Sequence, residues 1–213
     1  MDNKGFTYLE LLVVLAISLI IFGFIGIYFV ATEFFAKTRD NQRLADAFTL
    51  SNTLNAYINS LLNPDLDGPF LANRGINQSE PTIFLSLPLE DVNLFRSCYY
   101  RPYGQIYFVY QTHLNNLQKI DGKGWLPVDF SNLRNQYLSA LPVDPINSFT
   151  KGLYYLYAFQ TQPLQYEISI SFESESFLKN GANDKVSNDG GDDDNRFEVG
   201  TNLRLIPPFL WRI

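Results

Sequence analysis

Residues Gly5 to Ala31 read GFTYLELLVVLAISLIIFGFIGIYFVA, and this stretch decides the fold. After Glu10 it has no charged side chain up to Ala31, a run of about twenty residues, which is the length that a helix needs to cross a bilayer core. A secretory signal has an apolar region of only about 7–15 residues. The stretch therefore predicts a transmembrane helix. Glu10 lies at the N-terminal end of this predicted helix. A carboxylate is energetically costly to place in a membrane, so Glu10 is a candidate functional residue.

Helical character continues beyond the apolar run. From Glu33 to Leu62 the sequence has no proline or glycine, and Asn63-Pro64 ends the pattern because the residue before a proline disfavours helical geometry. We predict one helix of about fifty residues, roughly 75–80 Å long, whose second half packs on a head. Helical spacing predicts an inner face made of Leu44, Ala47, Phe48, Ser51, Leu54, Ile58 and Leu61. The predicted outer face carries Arg39, Asp40, Gln42, Arg43 and Asp46.

We predict that the remaining residues, 63–213, form a globular head. Residues 65–102 are rich in loop-forming residues, with one short strand at Ile83–Leu85. Further strands are predicted at 105–111, 153–159 and 166–172. Alternating apolar and polar residues predict that the last is half-buried, with its polar face in solvent. Pro163 lies in the turn of a predicted hairpin. We expect an α+β fold in which an antiparallel β-sheet packs on the second half of the long helix.

Composition excludes some classes of function. The net charge is −6, from 16 basic and 22 acidic residues, and without a basic stripe we expect no nucleic-acid partner. The single histidine, His113, is expected at the surface or at a cap, and Glu173 and Glu175 are expected to be solvated. No nucleophile elbow, phosphate loop or Cys/His metal pattern is found, so we do not expect an enzyme. Cys98 is the only cysteine and is expected to be buried, or else to pair between chains.

An acidic, glycine-containing loop at 184–198 is the one feature that resembles an ion site. It includes NDGGDDDN from Asn188 to Asn195. Calcium takes about six to eight oxygen ligands, and glycines let a backbone curl around the ion. We hypothesise that Asp189, Asp192 and Asp194 supply carboxylates to calcium. The alternative is a solvated, mobile loop.

The N-terminal motif resembles that of a known family. Gly5-Phe6-Thr7-x-x-Glu10 is similar to the cleavage and methylation signal of bacterial type IV pilins and type II secretion pseudopilins. The segments 38–46 and 54–57 resemble the helix that follows the membrane span in major pseudopilins. The resemblance extends to segments of an enlarged prepilin-type head at 119–128, 141–147, 152–155 and 198–203.

This resemblance implies a processing and assembly pathway. A prepilin peptidase would remove a leader, 1–5, by cutting between Gly5 and Phe6, and Phe6 would become N-methylphenylalanine. Residues 6–32 would form the transmembrane and filament-core helix, and 33–62 would continue into the head. Glu10 would pair with the Phe6 amine of a neighbouring subunit during assembly. The acidic loop would correspond to the calcium-binding loop of major pseudopilins.

The implied function is a structural subunit of a type IV pilus or of a type II secretion-like pseudopilus. The implied partners are the peptidase, further copies in a filament, the inner-membrane assembly platform and the assembly ATPase. The implied location is the cytoplasmic membrane, with an extracytoplasmic head, and then the filament. Two alternatives stay open: a membrane-anchored extracytoplasmic binding module, and a minor or tip pilin.

The C-terminal segment 205–213 is unusually apolar. It is expected either to cover the sheet or to offer an apolar patch to a neighbouring subunit.

Overall fold

The structure is a computed structural model of the chain. It describes residues 7–69, 71, 73–79, 81–94, 98–100, 106–133 and 138–208, with only the backbone described at 26, 27, 29 and 98–100.

One long helix, α1, runs from Tyr8 to Ser60 and has 53 residues. Its first turn is closed by a capping box, in which Thr7 and Glu10 each accept a hydrogen bond from the other's backbone N–H. It ends at Leu61, whose backbone is extended (φ −119°, ψ 146°). The predicted single helix, ended just before Pro64, is thus confirmed.

The head contains a six-stranded sheet in the order β2-β3-β1-β4-β5-β6. The strands are β1 (Thr82–Leu85), β2 (Cys98–Tyr100), β3 (Ile106–Tyr110), β4 (Leu156–Thr161), β5 (Leu164–Ile170) and β6 (Phe197–Gly200). β4 and β5 form the predicted hairpin, with Thr161 paired to Leu164. The architecture is therefore α+β, as predicted.

The sheet is mixed, so the expectation of a wholly antiparallel sheet is corrected at one pair. β1 runs parallel to β3, with Thr82 opposite Phe108 and Phe84 opposite Tyr110. The chain passes from β1 to the edge strand β2, which then turns back antiparallel to β3. This excursion through the sheet edge gives β3 the same direction as β1.

The main core lies between α1 and one face of the sheet. The helix contributes Ala47, Leu50, Leu54 and Tyr57, and the central strands contribute Phe84, Tyr157, Phe159, Tyr166, Ile168 and Ile170. A second cluster on the opposite face joins Ile83, Leu85, Tyr107, Val109, Leu156 and Ala158 to Leu205 and Ile206. Leu205 and Ile206 therefore cover the sheet, which is one of the two roles predicted for the C-terminal segment 205–213. Residues 209–213 lie outside the described residues.

This second layer corrects the prediction for β5. Alternation predicted a strand with one solvated face, but Glu167 is fully buried and Ser169 is 1% exposed. The backbone N–H groups of Leu205 and Ile206 both donate to Glu167 Oε2, at 2.7 and 2.9 Å. Glu167 is thus covered by the returning C-terminal segment, whereas the Ser169 hydroxyl accepts a hydrogen bond from Arg196.

The face of α1 that meets the head is also rotated from the predicted one. Phe48 is 47% exposed and Leu61 is 46% exposed, whereas Asp40 and Arg43 are fully buried. Ser51, Ala47 and Leu54 are buried as predicted. The buried stripe includes Ala36, Asp40, Arg43, Ala47, Leu50, Leu54 and Tyr57. Successive positions are spaced alternately four and three residues apart, so they form one regular stripe along the helix. Two of the residues in this stripe are charged.

Candidate functional site: the bare N-terminal helix and its junction with the head

The first half of α1 packs on no described part of the head. Its large apolar side chains are exposed, from Leu11 at 51% to Phe24 at 70%. In its most apolar stretch of 18 residues, none of the side chains that the structure describes is buried. Exposed apolar surface on this scale marks a membrane or protein interaction site. By length and composition, this segment could cross a membrane.

Glu10 closes the N-terminal end of this apolar segment. Its Oε2 atom accepts hydrogen bonds from the Thr7 backbone N–H at 2.8 Å and from the Thr7 hydroxyl at 2.9 Å. The Glu10 N–H in turn donates to Thr7 Oγ1 at 3.3 Å. Within one chain the carboxylate therefore stabilises the start of its own helix. The predicted processing residues Gly5 and Phe6 lie outside the described residues.

A buried ion network joins α1 to the head. Arg43 binds Asp144 through Nε–Oδ2 (2.6 Å) and Nη2–Oδ1 (3.0 Å). Its Nη1 atom also donates to Asp40 Oδ1 and to Glu173 Oε2, both at 2.7 Å. The side chains of Arg43, Asp40 and Asp144 are fully buried. One guanidinium thus holds three carboxylates from three separate parts of the chain.

Each carboxylate of this network also accepts other hydrogen bonds. Asp40 accepts the backbone N–H of Glu173 at 3.0 Å and of Ser174 at 2.7 Å. Asp144 Oδ1 accepts the N–H groups of Ile146 and Asn147, which fixes the turn that carries it. Such complete satisfaction is what permits charges to be buried.

Glu173, the third carboxylate, also binds Arg39, which lies at the edge of the network. Arg39 Nε is 2.6 Å from Glu173 Oε2. Burial opposes ionisation of Glu173, but hydrogen bonds and charges from Arg39 and Arg43 outweigh it and lower the pKa of Glu173. The expectation that Asp40 and Arg43 face solvent, and that Glu173 is a solvated charge, is therefore wrong.

Two further contacts hold the helix to the head on either side of this network. Nearer the membrane segment, the Glu33 carboxylate accepts the backbone N–H groups of Glu175 and Ser176 at 3.3 and 3.2 Å. Farther along, the Tyr155 hydroxyl donates to Asp46 Oδ2 at 2.8 Å. Burial raises the pKa of Asp46 and of Tyr155, and the nearby Asp46 carboxylate raises that of Tyr155 further.

The predicted calcium ligands have separate partners. Asp189 accepts the N–H groups of Gly191 and Glu198, and Asp194 pairs with Lys179. Across the described part of the chain, no three His, Cys, Asp or Glu side chains are grouped so that they could hold a metal ion. The structure therefore does not assemble Asp189, Asp192 and Asp194 into a ligand set, and calcium binding stays a prediction.

The acidic loop meets the sheet at a pair of buried carboxyl groups. Burial raises the pKa of both Glu167 and Glu198, and the neighbouring Glu198 raises that of Glu167 further. Glu167 Oε1 has no hydrogen-bond donor among the described residues. Burial of two adjacent carboxyl groups disfavours their ionisation, which is the cause of these raised pKa values.

The remaining candidates are single residues. His113 occupies the N-cap position of a short 3₁₀ helix, Leu114–Asn116. Its side chain is 68% exposed and lies 3.0 Å from Glu90, in agreement with the predicted surface or cap position. Cys98 is in strand β2, and its side chain lies outside the described residues.

Comparisons of the chain with protein-family models, curated proteins and solved structures give no match.

Sequence reasoning missed the charged core of the helix–head junction. A usable signal existed, because Asp40 and Arg43 fall on the same helical stripe as Ala36, Ala47 and Leu54. Charged residues in register with apolar ones indicate a buried pair rather than a solvated face. The partners Asp144 and Glu173 carried no such signal.

Proposed function

We propose that this chain is a structural subunit of a type IV pilus or a type II secretion-like pseudopilus, which polymerises through its N-terminal helix. The observation that carries the proposal is the division of α1 into two halves. One half is bound to the head by apolar contacts and ion pairs, and the other is apolar and unpartnered among the described residues. A subunit that moves from a bilayer into the core of a helical filament needs a helix of this kind. The bare apolar half can be buried in either environment, while the other half stays attached to the head.

The proposed pathway begins in the cytoplasmic membrane. The chain inserts with residues 1–5 in the cytoplasm and the head on the other side. A prepilin peptidase cuts between Gly5 and Phe6, and the new amine of Phe6 is methylated. The assembly platform and its ATPase then extract the subunit into the filament. The Gly5-Phe6-Thr7-x-x-Glu10 motif supports this pathway.

Glu10 has a proposed role in setting the axial register of the filament. In the isolated chain its carboxylate is bound to Thr7. On assembly, the Phe6 amine of a neighbouring subunit brings a positive charge to this carboxylate. Two charges in an apolar core are each costly alone, so pairing favours the one register that brings them together. Apolar side chains between Leu11 and Ala31 supply the general attraction.

The first test separates this role of Glu10 from its capping of the helix. Glu10→Ala removes both functions, whereas Thr7→Val removes the capping hydroxyl and keeps the carboxylate. We expect both variants to insert in the membrane. Glu10→Ala should reduce incorporation into shear-released filaments by at least about tenfold, which corresponds to about 1.4 kcal/mol, while Thr7→Val should assemble nearly as well as the wild type. Equal filament yields from Glu10→Ala and the wild type would remove the proposed role.

The second test is the mass of the N-terminal peptide. With the peptidase present, the mature chain should begin with methylated Phe6. Without it, the chain should keep its first five residues and stay in the membrane as dispersed monomers. A native product that still carries residues 1–5 would reduce the proposal to that of a tethered ectodomain.

A further inference from the structure

Arg196 is a buried cation whose hydrogen-bond acceptors in the described part of the chain are all neutral. It is 5% exposed. Its Nε atom donates to Ser169 Oγ (2.7 Å) and Nη1 to Ser171 Oγ (2.5 Å). Nη2 donates to the backbone carbonyls of Tyr154 (2.8 Å) and Ser169 (3.0 Å). The guanidinium also lies 5.3 Å from the centre of the Tyr154 ring.

This arrangement differs from that of Arg43, the buried arginine of the helix–head junction. Arg43 contacts three carboxylates, whereas Arg196 forms no ion pair with a carboxylate in the described part of the chain. A guanidinium has five N–H donors, and the four bonds of Arg196 leave one on Nη1 without an acceptor among the described residues. Burial also lowers the pKa of Arg196, although Asp193 and Glu198 lie near enough to oppose this.

A cavity lies directly against this cation. It has a volume of about 240 Å³, and its walls include Arg196 and its acceptor Ser171. Lys151 and Asn195 add polar groups to the wall, and Asp193 adds one carboxylate. The rest of the wall is largely apolar, with Leu153, Tyr154, Phe172 and Pro208. Two cations against one anion give the lining a net positive charge.

We propose that this cavity binds a small carboxylate whose body is apolar, such as an arylalkanoic acid or the terminal carboxylate of a peptide that ends in an apolar residue. The carboxylate would accept the remaining N–H of Arg196 and face the ammonium group of Lys151. The body would replace water against Leu153 and Phe172. Charge-assisted bonds to a desolvated guanidinium are the strong kind of polar contact.

The size of the cavity limits the ligand. Pockets for drug-sized molecules have volumes of about 300–1,000 Å³, so this one fits a single ring or a branched aliphatic group with its carboxylate. A sulfate or phosphate would satisfy the cations but would leave the apolar wall unfilled. The site is built within one head, and so it does not depend on filament assembly.

The probe is 3-phenylpropionate, and its neutral analogue 3-phenylpropan-1-ol is the control for apolar partition. Binding to the full chain in a nonionic detergent is measured by ligand-observed NMR and by the shift of the thermal midpoint. We expect saturable binding of the acid and at least about tenfold weaker binding of the alcohol, a ratio equivalent to about 1.4 kcal/mol. Equal binding of the two would overturn the proposal.

Substitutions at the rim keep the test independent of folding. Lys151 is exposed, and Lys151→Glu should weaken binding of 3-phenylpropionate by about tenfold or more. Asp193→Asn keeps an oxygen acceptor for the Asn195 N–H groups. Because it removes the one carboxylate of the lining, it should strengthen binding of 3-phenylpropionate. The matched control is Lys119→Glu, which makes the same charge change at a different cavity and should leave the affinity unchanged. An unchanged affinity in Lys151→Glu would overturn the proposal.

A last comparison distinguishes the two sources of the carboxylate. N-acetylphenylalanine presents the end of a peptide, and 3-phenylpropionate presents a free acid of the same ring. Tighter binding of the first assigns the site to peptide ends, and tighter binding of the second assigns it to free acids. Binding of inorganic sulfate as tight as that of both acids would overturn the assignment of an apolar ligand body.

Discussion

Removal of Arg43 is the most informative perturbation of the helix–head junction. Arg43→Met keeps much of the apolar stem of the side chain but deletes the cation that three carboxylates share. Asp40 and Asp144 would remain fully buried, and Glu173 would keep only Arg39 as its ion-pair partner. Breaking a buried ion pair by removing one partner costs about 3–5 kcal/mol. We expect a loss of that size at neutral pH, because both Asp40 and Asp144 stay buried without a cation.

The measurement is equilibrium unfolding of the full chain in a nonionic detergent, followed by near-ultraviolet circular dichroism of the buried aromatic residues. The matched control is Arg39→Met. The Arg39 side chain is 35% exposed and, among the described residues, forms an ion pair with Glu173 alone, so its loss should cost less than about 1 kcal/mol.

The effect of Arg43→Met should also depend on pH in a defined direction. The pKa of Glu173 is lowered in the folded protein, so its contribution to stability is present above its unfolded pKa and is lost as pH falls through the folded value. The difference between wild type and Arg43→Met should therefore shrink in acid. A loss at neutral pH no larger than that of Arg39→Met would refute the role assigned to Arg43.

Two further predictions concern the head itself. Leu54→Ala at a fully buried position should cost about 2–5 kcal/mol in the same unfolding assay. Leu62→Ala, fully exposed just beyond the helix, should be nearly neutral, and equal losses would contradict the burial of Leu54 in the core. Burial, with the nearby Asp65, raises the pKa of Asp67 to about 7, so the folded state loses stability as pH rises from the unfolded pKa towards 7. Asp67→Asn keeps an acceptor for the Arg74 N–H and should raise stability at pH 8.5 by roughly 1–3 kcal/mol but little at pH 4; thermal midpoints that respond equally at both pH values would exclude this.

Local sequence signals predicted the long helix and the strands β1, β3, β4 and β5, but not the short edge strands β2 and β6. The helix lacks proline and glycine after Gly26, so its end at Ser60 follows from Asn63-Pro64. The hairpin of β4 and β5 follows from two apolar runs around Pro163. These features depend on residues a few positions apart, and short-range rules apply to them.

The pairing of distant segments was not readable in the same way. Arg43 meets Asp144, which is 101 positions away, and Glu173, which is 130 positions away. Periodicity assigns a residue to a face, but it does not say whether a charge on that face has a counterion. The second covered face of β5 depends likewise on Leu205 and Ile206, which return to Glu167 from 38 and 39 positions away. The parallel pair β1–β3 depends on the path through β2.

The same limit applies to the candidate sites. The motif around Glu10 is contiguous and was found at once, whereas Arg196 gave no signal because its neutral acceptors come from Tyr154, Ser169 and Ser171. In the sequence, a single arginine after an acidic run suggests a solvated charge. The folded sheet is what brings Arg196 close to the Tyr154 ring.

The continuity of α1 has a mechanical consequence. A pull on the stem cannot be absorbed at a hinge between Glu33 and Ser60, since this part of the helix has neither glycine nor proline. The load passes first to the Glu33 contacts and then through Arg43 into two places at once, the turn at Asp144 and the segment that follows β5. Tension on the second half of α1 is thus shared between separate attachment points on the head.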